Sequence, residues 1–592
     1  MQKKYLFIFL SLFLYPSLFL FLLIFLPNFH HIAHANEEKA TKPRSESSPS
    51  PISLHHVKLE KLRNKSDSLE LKFYQVRNTD RPLSTYVEEF PLRVVEHEPI
   101  SSRWMIEVTS TNEEDFYRQL ENLGLENPRS RLFEFTANQK GKFLRRSRLE
   151  VRTLVDNGPS ENRIDLVFMG DGYTEAEKEK FDQDMQRLID DLFRSKNFSS
   201  YLPIFNVHTV FEPSNDSGIG RRYPKDTAYE LYRSGNTLRA IFPGNERNIR
   251  DACYSAPGCD YPIVIANDDF YGGLGGEFAI STRSRTSGSL VLRHELGHNF
   301  GKVGEEYDGG SVFGANSSRN LRSLSWKHWL TSPETLTQPA KALFLDWPWK
   351  NLAEGDFVAE FYSPGNMASA EIKMSVSGIE TAQTLDITLD DRRLEYESPN
   401  QADRTFVTTK FEEGFTKGRH EVVFSENVKD GNNWVSSLAI YEYGENYDFS
   451  EDTIGAYPVF SRSKRVIGYR PTHDVCLMRD MNSERFCVVC QENNWAKFFG
   501  RIQLIDEVTV VPTERGVTVS VHVLPLGQKR TFQSSVADYY EVRWFQNGVR
   551  VAELDDQFEV TLASGQGVKV QVSYFNSEIR KPLKTLQQTI SL

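Results

Sequence analysis

Between Ser287 and Tyr307 the chain reads SGSLVLRHELGHNFGKVGEEY, and this stretch constrains it more than any other. It contains H-E-x-x-H as His294, Glu295 and His298. On an α-helix, residues four apart lie one turn above each other on one face, so both imidazoles can hold a single metal ion. Glu295 follows the first histidine, where its carboxylate can reach a water at the metal. Ser287 or Ser289 can cap the helix, and Gly301 can end it. A helix that stops directly after the second histidine lets the chain turn back and supply a third ligand, for which Glu305 and Glu306 stand ready. Carboxylate oxygen is an acceptable zinc donor at about 2.0–2.2 Å, and three protein ligands leave a position open for water. The bland alternative is a solvated histidine pair followed by surface carboxylates. A glutamate at the second motif position and the glycine that bounds the helix argue against it.

With 592 residues the chain has room for three or four domains, each with its own core. Its net charge of −11 speaks against a nucleic-acid partner, because phosphate binding rests on excess Lys and Arg. Residues 1–35 read as a signal peptide: Lys3 and Lys4, an apolar run from Tyr5 to Leu26, then Ala33-His34-Ala35 as a cleavage site. The run is also long enough for a signal-anchored form. Cleavage leaves no further membrane segment, so the mature chain is expected to be secreted and extracellular. Four N-x-S/T sequons (Asn64, Asn197, Asn215, Asn316) agree with a secreted glycoprotein. In an oxidising compartment, Cys253 with Cys259 and Cys476 with Cys487 or Cys490 are expected as local disulfides, leaving one thiol.

Residues 36–55, rich in Ser and Pro, read as a linker. Residues 56–152 alternate in short runs broken by one helical stretch, Glu114–Leu123, which predicts a β-rich N-terminal domain. It ends near the basic run Arg145-Arg-Ser-Arg148, read as a solvated loop with a processing site as the alternative. From residue 153 strands and helices alternate: Ile164–Phe168, a helix opened by a Thr174/Glu177 capping box, Ile204–Phe211 and Tyr261–Ala266. Glu277–Ser281, after the glycine-rich 272–276, is expected as an edge strand able to hold an extended peptide.

His294-Glu-Leu-Gly-His298 with Glu305-Glu306-Tyr307 resembles the H-E-x-G-H…[DE]-E-Y signature of the IgA-peptidase family of zinc metallopeptidases, metallopeptidase family sixty-four. The likeness extends to Val167–Thr174, Phe205–Val207, Ser214–Gly218, Tyr271–Gly273 and Tyr469–Pro471, and so covers most of 160–490. The resemblance implies an α+β or α/β zincin-like catalytic domain over 153–500, a Zn²⁺ cofactor and a protein or peptide substrate. Glu295 would be the catalytic carboxylate, and His294, His298 and one of Glu305 and Glu306 the metal ligands. Glu305 stands where members of that family often carry Asp. The match to the related metzincin pattern is partial, since its third ligand would fall at Gly304. Cys476-Leu-Met-Arg479 resembles a metzincin methionine turn with Met478 as the floor, while Tyr307 and Tyr469 are supporting candidates.

A β-rich insertion is expected near 367–422, and alternation from 501 to 592 predicts a C-terminal β-sandwich, immunoglobulin-like, with Trp544 in its core. Together these readings describe a secreted zinc metalloendopeptidase. The rivals are a secreted zinc hydrolase of a non-peptide amide or ester, and a non-catalytic binding or adhesion protein on a zincin scaffold.

Overall fold

The computed structural model describes residues 149–233, 239–332, 337–514, 516–531, 536–563 and 567–591. Before them it describes 52–63, 69–81, 93–97, 104–110, 113–123, 125 and 128. The signal peptide, most of the linker, Asn64 and the run Arg145–Arg148 lie outside the described residues.

Four strands, β1 (Ile52–Arg63), β2 (Leu69–Arg81), β3 (Arg93–His97) and β4 (Trp104–Ser110), form an antiparallel sheet in the order β2-β1-β4-β3. Helix α1 (Glu113–Asn122) follows, with Phe116 and Leu120 buried.

The central sheet has five strands: β5 (Glu150–Val155), β6 (Ile164–Asp171), β7 (Phe205–Phe211), β8 (Tyr261–Ala266) and β9 (Ala279–Thr282), in the order β9-β8-β6-β7-β5. All neighbours run parallel except β5, which is antiparallel to β7. Every residue of β6, β7 and β8 is buried, as expected of parallel strands covered on both faces. Alternate residues of β6 serve different cores. Ile164, Leu166 and Phe168 join the main core, while Val167 and Met169 join a smaller one behind the sheet. That smaller core includes α3 (Glu246–Cys253) and the Cys253–Cys259 disulfide.

The capping box forms as expected: Thr174 N–H donates to Glu177 Oε2 at 3.0 Å, one 3₁₀ turn ahead of α2 (Lys178–Arg194). Phe181, Met185, Leu188, Ile189 and Leu192 of α2 face the main core. Helix α4 (Gly288–Gly301) carries the motif and is enclosed nearly all round. Ser287 occupies its N-cap position but does not cap it; the hydroxyl donates to Asp403 Oδ2 at 2.5 Å. Gly301 is the last helical residue, and Lys302 beyond it takes the left-handed conformation, φ 52°. Two glycines let α5 (Val488–Phe499) and the loop before it approach. A Cβ on Gly297 would meet the Phe486 ring at 2.9 Å and Met478 Sδ at 3.0 Å, and one on Gly301 would collide with Asn494.

The expected insertion forms a pair of antiparallel sheets around one core of Ile372, Met374, Val422, Phe424 and Ile440. One sheet contains Ala340–Asp346, Trp434–Tyr443, Ser369–Ser377 and Thr405–Phe411; the other contains Phe357–Ser363, Gly418–Glu426 and Leu385–Leu389. These strands reach beyond the limits 367–422, because 340–346 and 434–443 pair with each other and complete the first sheet. After residue 504 come two more antiparallel sheets. Ile505–Thr513, Gly516–Val523 and Glu559–Leu562 form one, and Asp538–Gln546, Val568–Asn576 and Gln587–Ser591 lie in the other. Trp544 is fully buried between them, its indole N–H donating to Gln557 O at 2.9 Å. Their core is continuous with that of the central sheet.

The structure departs from three sequence expectations. Cys476, Cys487 and Cys490 are free, buried thiols rather than partners in a second disulfide. Asn197 and Asn316 are fully buried, so neither sequon has room for a glycan, whereas Asn215 is exposed. The free edge of β9 is already paired at Ile280, which exchanges backbone hydrogen bonds with Leu274 at 2.9 and 3.1 Å. An extended peptide cannot pair there while the 272–275 segment holds this position. Among the described residues no helix is long and apolar enough to cross a membrane.

Candidate metal centre and active site

One turn of α4 brings His294 and His298 together, with Nε2 atoms 3.2 Å apart and rings perpendicular. A backbone carbonyl fixes each imidazole through its other nitrogen. His294 Nδ1 donates to Leu477 O at 3.2 Å and His298 Nδ1 to Val303 O at 2.8 Å. This leaves both Nε2 lone pairs facing a common point, the tautomer a metal ligand needs. The chain turns back after Lys302 and delivers Glu305 to that point. Its carboxylate lies 3.3 Å from His298 Nε2 and 3.3 Å from His294 Nε2.

Glu306 points elsewhere. It is fully buried with Oε1 accepting from Asn316 Nδ2 at 2.8 Å, and it groups with the three thiols rather than with the histidines. The group His294, His298 and Glu305 fits one divalent ion: ligands at about 2.0–2.1 Å in tetrahedral array stand about 3.3 Å from each other. Glu305 Oε2 is buried without a hydrogen-bond partner, as an atom awaiting a cation would be.

Electrostatics agree with this grouping. Burial alone would raise the Glu305 carboxyl, but the two imidazoles outweigh it and hold it well below the usual range. Burial likewise opposes charge on His298, yet the Glu305 carboxylate raises it to about 9. The Glu295 carboxyl is raised, chiefly by burial, and is partly offset by both histidines. It lies against Gly275, where any Cβ would collide with Oε2.

Met478 lies beneath the helix, its sulfur close to Gly297, and its carbonyl accepts from Glu306 N–H at 3.0 Å. The turn thus supports His294 through Leu477 O and braces the segment that carries Glu305. Tyr307 stacks on His294, ring centroids 5.7 Å apart at 22°. Burial and then the nearby Glu305 charge push its hydroxyl well above the ordinary value, so it stays protonated. Tyr469 is a strand residue whose backbone N–H and O pair with Ser318 at 2.7 and 3.0 Å. The tyrosine beside the metal donors is Tyr307.

Sequence reasoning missed the wall of the cleft. A cavity of about 150 Å³ beside Tyr307 is lined by Arg239, Tyr271, Trp347, Trp349, Arg404 and Phe406, among others. The Arg404 guanidinium sits 4.3–4.9 Å from the Tyr271, Trp349 and Phe406 ring centroids. Asp403 next to it accepts from Tyr271 N–H at 2.6 Å and from the Ser284 and Ser287 hydroxyls. The insertion is therefore bonded to the start of α4. No local signal at 403–404 announces this, because the partners lie over 100 residues away.

Comparison with known proteins found no match among curated ones. Residues 135–362 match the family model described as IgA Peptidase M64, which spans the central sheet, α4 and both glutamates but stops short of the methionine turn. This match supports, over 135–362, the same family whose signature the sequence resembles.

Proposed function

We propose that this protein is a secreted zinc-dependent metalloendopeptidase with a zincin-like catalytic core. The observation that carries the reading is the convergence of His294, His298 and Glu305, with the Glu295 carboxylate on the same helix. Two imidazoles and a carboxylate suit zinc, and three ligands leave a position open for substrate and water. Bound there, Zn²⁺ polarises a scissile carbonyl and makes water a nucleophile at neutral pH. Glu295 accepts the proton of the attacking water at its carboxylate oxygen and then delivers it to the nitrogen of the leaving amine. Leu477 O and Val303 O accept from Nδ1 of His294 and His298 and so orient both rings with Nε2 towards the metal position. The protonated Tyr307 hydroxyl is available as a hydrogen-bond donor at the cleft. The apolar N-terminal run, read as a cleaved signal, supports action outside the cytosol.

The test is cleavage of a diverse peptide library by the mature chain, with and without chelator, beside Glu295→Gln. Loss of the general base should lower kcat by about 10²–10⁴-fold with zinc content unchanged. Zinc retained with no cleavage of any peptide by the wild type would sink the reading in favour of a non-peptide hydrolase or a binding protein.

A further inference from the structure

Directly behind the candidate active site lies a second group of metal-ligating side chains. Glu306 follows Glu305, Cys476 opens the methionine turn, Cys487 precedes α5 and Cys490 lies in its first turn. All four are buried, with exposures of 0, 0, 3 and 0%. One donor atom from each lies within 4.8 Å of every other. Cys476 Sγ and Cys490 Sγ are 3.6 Å apart, and Cys490 Sγ is 3.9 Å from Glu306 Oε1. Four ligands around one zinc ion, with Zn–S about 2.3 Å and Zn–O about 2.0 Å, give edges of about 3.8 Å between sulfurs and 3.5 Å from sulfur to oxygen. A disulfide would need sulfurs about 2.05 Å apart, and any such pair would leave the third thiol and a buried carboxylate behind.

Two further observations point to a cation. Glu306 Oε2 is fully enclosed and has no hydrogen-bond partner, a costly arrangement unless an ion completes it. Cys487 N–H donates to Cys476 Sγ at 3.3 Å, the kind of bond that supports a thiolate ligand. The only other such cluster among the described residues, Glu371, His473 and Asp474, already has an ammonium in it: Lys373 contacts both carboxylates.

We propose that Glu306, Cys476, Cys487 and Cys490 form a closed, structural Zn²⁺ site, separate from the one at His294, His298 and Glu305. Thiolate donors select a soft ion over Ca²⁺ or Mg²⁺, and four protein ligands leave no position open for chemistry. The site ties the two segments that brace the active site. Glu306 is bonded to Met478 through its backbone, and Leu477 holds His294. Neighbouring glutamates thus face opposite ways, one to each metal.

The experiment uses the full mature chain purified without chelator, with zinc counted per chain by mass spectrometry of the metal. The wild type should carry about two equivalents and His294→Ala/His298→Ala about one. That histidine variant, reloaded with Co²⁺, should give the intense near-ultraviolet thiolate-to-cobalt charge-transfer band. Cys490→Ser and Glu306→Gln, each checked for folding by circular dichroism, should weaken retention of the remaining equivalent. Denaturation in chelator without reductant should expose three alkylatable thiols. No metal in the folded histidine variant, a cobalt spectrum without the thiolate band, or a disulfide among the three cysteines would each overturn the proposal. None of these readouts depends on peptidase activity, so failure of the functional reading leaves them intact.

Discussion

Glu295 is packed against the glycine-rich segment that precedes β9. Gly275 sits against its carboxylate, and α4 fixes its backbone. Adding one methyl group there tests how closely the proposed general base must be placed. Gly275→Ala should leave the folded structure and zinc content intact while lowering kcat by about 100-fold, since displacements of about 1 Å cost that much. Steady-state kinetics beside a metal assay decides it: unchanged kcat would mean the carboxylate tolerates displacement. The same scale separates the adjacent glutamates. Burial pushes the Glu306 carboxyl up to about 8, while the two imidazoles pull Glu305 down. Neighbours in sequence therefore occupy opposite electrostatic environments.

At the scale of single elements, the capping box at the start of α2 makes a pH-dependent prediction. Burial would raise Glu177, but the Thr174 N–H, then Asn267, Ser217 and Lys180, together lower it from 4.5 to about 2. A depressed carboxylate contributes stability that is present above pH about 4.5 and is lost as pH falls towards 2. Glu177 is partly open to solvent, so its ionised form contributes about 1 kcal/mol rather than the full shift. Glu177→Gln keeps a capping acceptor and removes only the charge. Urea unfolding of the two proteins should differ by that amount at pH 7 and converge near pH 2–3; a constant gap would contradict it. Elements like this one were legible because their signal is local. Thr174 and Glu177 are three residues apart, His294 and His298 four, and Cys253 and Cys259 six. Three thiols whose fourth partner lies about 170 residues earlier give no such signal, and their short mutual spacing favours a local disulfide instead. Asn316 misled for the same reason. Its sequon is visible in the sequence, but its side chain is engaged with Gly304 and Glu306 in the interior.

Across the whole molecule, the last two sheets are part of the central core. Trp495 Nε1–H donates to Glu578 at 2.6 Å, the Phe499 ring lies 5.5 Å from that of Tyr574, and Arg163 pairs with Asp506 at 2.7 Å. Removing residues 501–592 would bare this apolar face and leave the buried Arg163 without its carboxylate. The truncated chain should therefore be insoluble or aggregated, as measured by soluble yield and size-exclusion chromatography. A monodisperse, zinc-loaded truncation would show instead that the central sheet stands alone.

The sequence by itself determined the features whose parts lie within one or two helical turns of one another. These are the histidine pair with its glutamate, the capping box, the short disulfide and the runs that become buried parallel strands. Backbone periodicity brings such residues together wherever the segment ends up. Only the tertiary structure decided that Glu305 faces the histidines while Glu306 faces Cys476, Cys487 and Cys490. It also decided that Leu274 covers the edge of β9 and that Asp403 and Arg404 reach the cleft from the insertion. Those relations join residues whose separation along the chain carries no information about their distance in space. They are set by which apolar faces must be buried against which.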